Sequence, residues 1–90
     1  MTTDLVLVSD ARAVGGQIRR CRKTQGMRID DAAALFGVSV DALSRLETGN
    51  GGVRLETLLK VLDGLGLALL TAEKASTTVL TLQRLRDQQD

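Results

Sequence analysis

Residues Gly26 to Gly49 read GMRIDDAAALFGVSVDALSRLETG, and the fold is decided inside this stretch. Apolar residues recur at helical spacing from about Ile29 to Phe36, with Asp30 and Asp31 in the first turn, where the helix dipole favours carboxylates. Gly37 interrupts the pattern. After Val38, Ser39 supplies an N-cap, and Val40, Leu43 and Leu46 then repeat at every third position. Two short helices joined by a tight turn are expected.

Upstream, Val14, Ile18 and Cys21 fall at i, i+4 and i+7, a helical stripe with Arg19, Arg20, Arg22 and Lys23 on its flanks and outer face. Ser9 is the expected N-cap of this helix, Asp10 complements its dipole and Gly26 ends it. Gly15 and Gly16 each cost about 1 kcal/mol in a helix interior, so they mark fraying or the close approach of a neighbour. Before Ser9, Asp4 to Val8 is a short apolar run suited to an arm or an edge strand.

Downstream, Thr48-Gly49-Asn50-Gly51-Gly52 is a loop by composition, and Leu55, Leu58, Leu59, Leu62 and Leu65 form the clearest amphipathic stripe, closed by Gly64 and Gly66. Leu67 to Ala72 is too short for another such helix and reads as a brief strand. From Ser76 the chain mixes β-branched residues with Leu82 and Leu85, so helix and disorder both remain open.

The bulk composition agrees. Ninety residues suit one core, 43% of them are hydrophobic and only 1% aromatic, and proline is absent, which favours packed helices over a sandwich. The lone cysteine, Cys21, cannot form an internal disulfide and is expected to serve as a core hydrophobe. No basic-then-apolar leader and no long uncharged apolar run opens the chain, so a soluble cytoplasmic protein with no membrane partner is expected. Histidine is absent, no paired-cysteine spacing exists, and the glycines at 49, 51 and 52 do not make a phosphate loop. Neither catalysis nor a metal or other cofactor is expected. The net charge is only +1 but unevenly placed: residues 1–28 hold six basic against two acidic residues, while residues 29–50 hold Arg45 against Asp30, Asp31, Asp41 and Glu47.

Within the quoted stretch, Ala33, Gly37, Val38, Leu43, Ser44 and Glu47 carry a resemblance to the Xre/Cro-type, lambda-repressor-like helix-turn-helix family. Ala33 is small where two helices would cross, Gly37 sits where the turn needs positive φ, and Val38 and Leu43 would plug the core. The ending Val61-Leu-Asp-Gly-Leu-Gly-Leu-Ala-Leu-Leu extends the likeness to the HipB antitoxin branch, over about residues 9 to 75. The resemblance implies an all-α helix-turn-helix bundle of four to five helices, with a short C-terminal strand that pairs across a homodimer. Residues 1–8 are then an arm or short strand, 9–66 the DNA-binding domain, 67–73 the dimerisation strand with Leu67, Ala68, Leu69, Leu70 and Thr71 at the interface, and 74–90 a tail. A solitary apolar strand exposes unpaired backbone, which independently argues for a twofold mate.

The function implied is a repressor of its own operon that serves as the antitoxin partner of a HipA-like toxin kinase, acting on double-stranded operator DNA. Docking by analogy puts the second helix of the motif in the major groove, with Ser39, Val40, Asp41, Ser44 and Arg45 facing the bases. Arg45 would take guanine, Asp41 cytosine N4 and Val40 a thymine methyl. Backbone contacts would come from amides near Ile29 and Asp30, from Arg28, from Thr48 and Asn50, and from Arg19, Arg22 and Lys23. Plainer readings stand beside these: Arg45 pairs with Asp41 one turn back, and the basic face of helix one serves solubility. The family usually has Thr-Gln where this chain has Arg28-Ile29, and often Gln where it has Val40. The alternative is therefore a helix-turn-helix scaffold used as a protein-interaction module with weak or no DNA binding, with Val79, Leu82 and Leu85 as anchors.

Overall fold

Among residues 5–88, which the computed structural model describes, five helices form and no strand does: α1 Ala11–Thr24, α2 Ile29–Phe36, α3 Val40–Thr48, α4 Leu55–Leu65 and α5 Thr77–Asp87. The part of the expected arm at residues 1–4 lies outside the described residues. No described helix is long and apolar enough to cross a membrane.

The α2–α3 turn follows from its sequence. Gly37 adopts φ 72°, ψ 34°, a left-handed conformation that costs glycine little, and its neighbour Val38 donates back to the carbonyl of Ala33 at 3.0 Å. Two residues later the Ser39 hydroxyl accepts from the Ala42 amide at 3.0 Å and opens α3. One eight-residue helix is thus stopped and the next started within three residues.

Ile18, Ala32, Ala33, Phe36, Leu43, Val61, Leu62 and Leu65 form the buried core, with Val14, Cys21, Val38, Leu46, Leu58 and Leu67 packed against it. Ala33, 1% exposed, lies in this core. Gly15 is required by a close approach in α1: a Cβ at that position would overlap the Leu46 carbonyl oxygen and lie 2.7 Å from that of Glu47, so α1 rests directly on the backbone of α3. Gly16, in contrast, has nothing within 4 Å of where its Cβ would be.

Several local expectations need correction. Asp10, not Ser9, caps α1, its carboxylate accepting from the Ala13 amide at 2.8 Å, while the Ser9 hydroxyl accepts from Arg86. Gly64 does not end α4 but lies within it, where a side chain would overlap the Phe36 ring, and only Gly66 caps the helix. The buried face of α4 runs through Leu58, Val61, Leu62 and Leu65; Leu59 is carried off that face by the helical repeat, while Leu55, in register with Leu62, is exposed as the first residue of the helix. Contrary to the expected strand, Leu67 to Ala72 forms neither helix nor ladder among the described residues. The tail is a helix from Thr77, capped by Ser76 at 3.2 Å from the Val79 amide. Its Val79 is already buried and Leu82 half-buried within the chain, so two of the three residues expected to anchor a partner are occupied.

Candidate nucleic-acid interface

α3 presents Ser39, Val40, Asp41, Ser44, Arg45 and Thr48 to solvent, while Leu43 on the opposite side is fully buried. Val40, Ser44 and Thr48, and beside them Asp41 and Arg45, recur at four-residue spacing and so form two adjacent rows on one helical face, with the N-cap Ser39 at its start. The structure therefore brings together the five residues expected to read bases.

What holds that face in place was not expected. Arg22 lies on the stripe of Ile18 one turn further along α1, and it turns inward, leaving only 8% of its surface exposed. Its Nε donates to Glu47 Oε2 at 2.6 Å and a terminal nitrogen donates to Glu47 Oε1 at 2.9 Å, a two-point contact. Its other terminal nitrogen donates to the Met27 carbonyl at 2.8 Å. One guanidinium thus ties α1, the turn before α2 and the end of α3. The hydrogen bonds to Glu47 and its charge raise the Arg22 pKa against the lowering effect of burial, so the residue stays cationic. Arg22 is accordingly withdrawn as a phosphate contact: its donors are spent inside. The signal that could have found it is its i+4 spacing from Ile18, an arginine on an apolar stripe.

The inward pair also changes the surface charge. Glu47, with its side chain 5% exposed, no longer counts among the acids of the α2–α3 face, which are Asp30, Asp31 and Asp41. Two of these sit beside cations: Arg28 Nε lies 3.5 Å from Asp30, and Arg45 Nε lies 3.5 Å from Asp41 one turn back. The plainer reading of Arg45 thus holds in the isolated chain. Exposed pairs of this kind are worth about 0–1 kcal/mol, so either arginine can leave its carboxylate for a stronger acceptor at small cost.

At the start of α2, Arg28 gives no side-chain cap, and among the described residues the Ile29 and Asp30 amides have no acceptor. Free amides at a helix N-terminus attract an oxyanion. The Asp30 carboxylate partly fills that role itself, accepting from the Asp31 amide at 3.0 Å. Arg19, Lys23 and Arg28 are exposed, as is Asn50 in the loop after α3. The Thr48 hydroxyl instead donates to the Ser44 and Arg45 carbonyls at 3.0 and 3.3 Å, so its proton is committed to its own helix.

The family model described as "Helix-turn-helix domain" matches residues 13–75. No curated protein sequence matches the chain. Among solved structures, one titled "HipB-O4 20mer complex" is 18% identical with a TM-score of 0.70, covering 80% of this chain and 100% of its own. The "Structure of HipA-HipB-O2-O3 complex" is 17% identical with a TM-score of 0.69, covering 77% and 97%. The "clp gene regulator ClgR from C. glutamicum" is 26% identical with a TM-score of 0.59, covering 89% and 95%.

Proposed function

Because the chain belongs to the helix-turn-helix domain family, we propose that it is a sequence-specific DNA-binding transcriptional regulator acting in the cytoplasm as a homodimer. The observation that carries this reading is the outward row Ser39, Val40, Asp41, Ser44 and Arg45, on a helix capped at one end by Ser39 and clamped at the other by Arg22 and Glu47. A row of short side chains, polar apart from Val40, with one long cation, on a helix narrow enough for the major groove, is suited to reading base edges.

Arg45 leaves Asp41 for guanine, Ser44 tolerates either edge, and Val40 meets a thymine methyl. Arg28, Arg19, Lys23, the Asn50 loop and the free amides of α2 grip phosphates and set the register. The fold shared with the proteins of the HipB-O4 20mer and HipA-HipB-O2-O3 complexes supports a repressor that also serves as antitoxin to a HipA-like kinase.

Dimerisation through residues 67–73 completes the reading. Among the described residues, no hydrogen bond engages the backbone from Ala68 to Ala72, and the segment carries no charge. An unpaired, uncharged edge of this kind invites an antiparallel strand, and a twofold axis supplies one while placing two copies of α3 along the duplex.

A mobility-shift titration against the chain's own upstream DNA tests the proposal. A palindromic site is expected, with an affinity that falls about 10³-fold or more between roughly 50 and 200 mM salt if six or more phosphates are engaged. No shift at the lower salt would refute it.

A further inference from the structure

We propose that the apolar pocket beside Arg45 binds a short aliphatic carboxylate, and that this ligand competes with DNA for the Arg45 side chain. The pocket stands on its own geometry, whereas the competition rests on the base-reading role given to Arg45 above. The pocket has a volume of about 250 Å³ and lies between the start of α1, the end of α3, the loop after it and the start of α4. Val14, Leu46, Val53 and Leu58, all half-buried, form its apolar wall. Leu55, 64% exposed, stands uncovered at its edge.

Packed elements bound this space. A Cβ on Gly49 would lie 2.7 Å from the Arg12 Cα, so the loop and α1 are in backbone contact beside the pocket. Arg45 is the one ionisable side chain that lines it. Its Nε lies 3.5 Å from Asp41, and a terminal nitrogen would lie 3.9 Å from a Cβ on Gly52, so the guanidinium extends from its own helix toward the loop. The same edge carries further positive potential: among the described residues the Leu55, Glu56 and Thr57 amides have no acceptor, and Arg54 gives α4 no side-chain cap.

These features select the ligand. The guanidinium fork matches a carboxylate at two points, and the apolar wall offers nothing to a polar body, so the ligand is charged at one end and aliphatic elsewhere. The volume falls below the roughly 300–1,000 Å³ of sites for drug-sized molecules, which limits the occupant to one short chain. A carboxylate on Arg45 occupies the donors that would take guanine. By linkage, ligand and operator then weaken each other by the same factor.

Amide chemical shifts of the labelled, DNA-free chain, followed during titration with butanoate, hexanoate, decanoate or hexanol at constant ionic strength, test the pocket. Hexanoate should move the Leu46, Gly49, Gly51 and Val53 amides saturably, with a Kd of about 0.1–10 mM. It should bind about 10-fold more tightly than butanoate, since each buried methylene is worth about fourfold, and decanoate should gain little more once the space is filled. Hexanol, Arg45→Gln and Leu55→Glu should each weaken binding by at least about 10-fold, through loss of the charge pair or repulsion of the carboxylate. Leu55→Glu stands at an exposed position in the first turn of α4, where a carboxylate favours the helix. Leu59→Glu, exposed on α4 but outside the pocket, should bind hexanoate as the wild type does. No saturable change with hexanoate would overturn the pocket, and equal binding of hexanol would overturn the role of Arg45 in it. In a mobility shift on the operator, hexanoate should lower the affinity and hexanol should not. An unchanged affinity at saturating hexanoate would overturn the competition alone, whereas an operator that fails to bind without ligand would overturn the DNA reading and the competition together while the DNA-free titration still decides the pocket.

Discussion

Replacing Glu47 with Gln removes one charge from the contact that sets α1 against α3, and its cost can be worked from the structure. The Arg22 and Glu47 side chains are 9% and 5% exposed, and the pair is joined by two hydrogen bonds of 2.6 and 2.9 Å. In Glu47→Gln the guanidinium stays buried, keeps the Met27 carbonyl at 2.8 Å, and loses its counter-charge. Stranding one member of a buried pair costs about 3–5 kcal/mol, against a total stability of about 5–13 kcal/mol for a chain of this length. At about 4–8 °C per kcal/mol, the midpoint should fall by more than about 12 °C. With no Trp or Tyr in the chain, far-UV circular dichroism through thermal and urea unfolding is the suitable assay. The double variant Arg22→Met with Glu47→Leu should recover most of the loss, because removing both charges leaves nothing uncompensated in the interior. A Glu47→Gln cost below about 1 kcal/mol, or a double variant worse than the two singles together, would refute the reasoning. Arg22 has a folded-state pKa raised above its unfolded value, so its contribution is complete at neutral pH and is lost only as strongly alkaline solution titrates the folded state.

The two neighbouring glycines of α1 should respond with opposite signs. Gly15→Ala drives a methyl into the α3 backbone and should destabilise by about 1–3 kcal/mol, whereas Gly16→Ala meets open space and should stabilise by about 0.5–1 kcal/mol, both read from denaturation midpoints. Ser39→Ala removes the α3 cap and should cost about 1 kcal/mol in the same measurement. On DNA, Arg45→Ala should lose about 1–3 kcal/mol of discrimination at one base pair in a competition binding series. Asp41→Ala should tighten nonspecific binding by removing a carboxylate from beside the phosphates and freeing Arg45. Weaker nonspecific binding by Asp41→Ala would contradict the placement of that face.

The parts of the fold that were legible in the sequence are those whose causes are local. Gly37, Ser39 and Leu43 declare the stop, the start and the inner face of two helices within seven residues, and the structure follows them. The exposed row on α3 was legible for the same reason, because it is the complement of the buried stripe. What escaped depends on tertiary contact. Arg22 and Glu47 are 25 residues apart, and only the crossing of α1 and α3 makes them partners. Gly64 reads as a stop until Phe36 is packed against it. Ser9 and Asp10 are both competent caps, and the chain's return through α5 hands the Ser9 hydroxyl to Arg86, leaving the cap to Asp10. The weakly apolar tail gives no strong period of its own, so its helix depended on Ser76 as cap and on the burial of Val79.

The central claim is that the Ser39–Arg45 face of α3 is the surface that meets DNA. Amide chemical shifts of the labelled chain, followed while its upstream operator duplex is titrated in, test this most directly. The account predicts the largest changes at Ser39 to Arg45 and at the Ile29 and Asp30 amides, with Leu69, Leu70 and α5 little affected. Changes concentrated on α5 and the Leu67–Ala72 segment, with α3 silent, would contradict it.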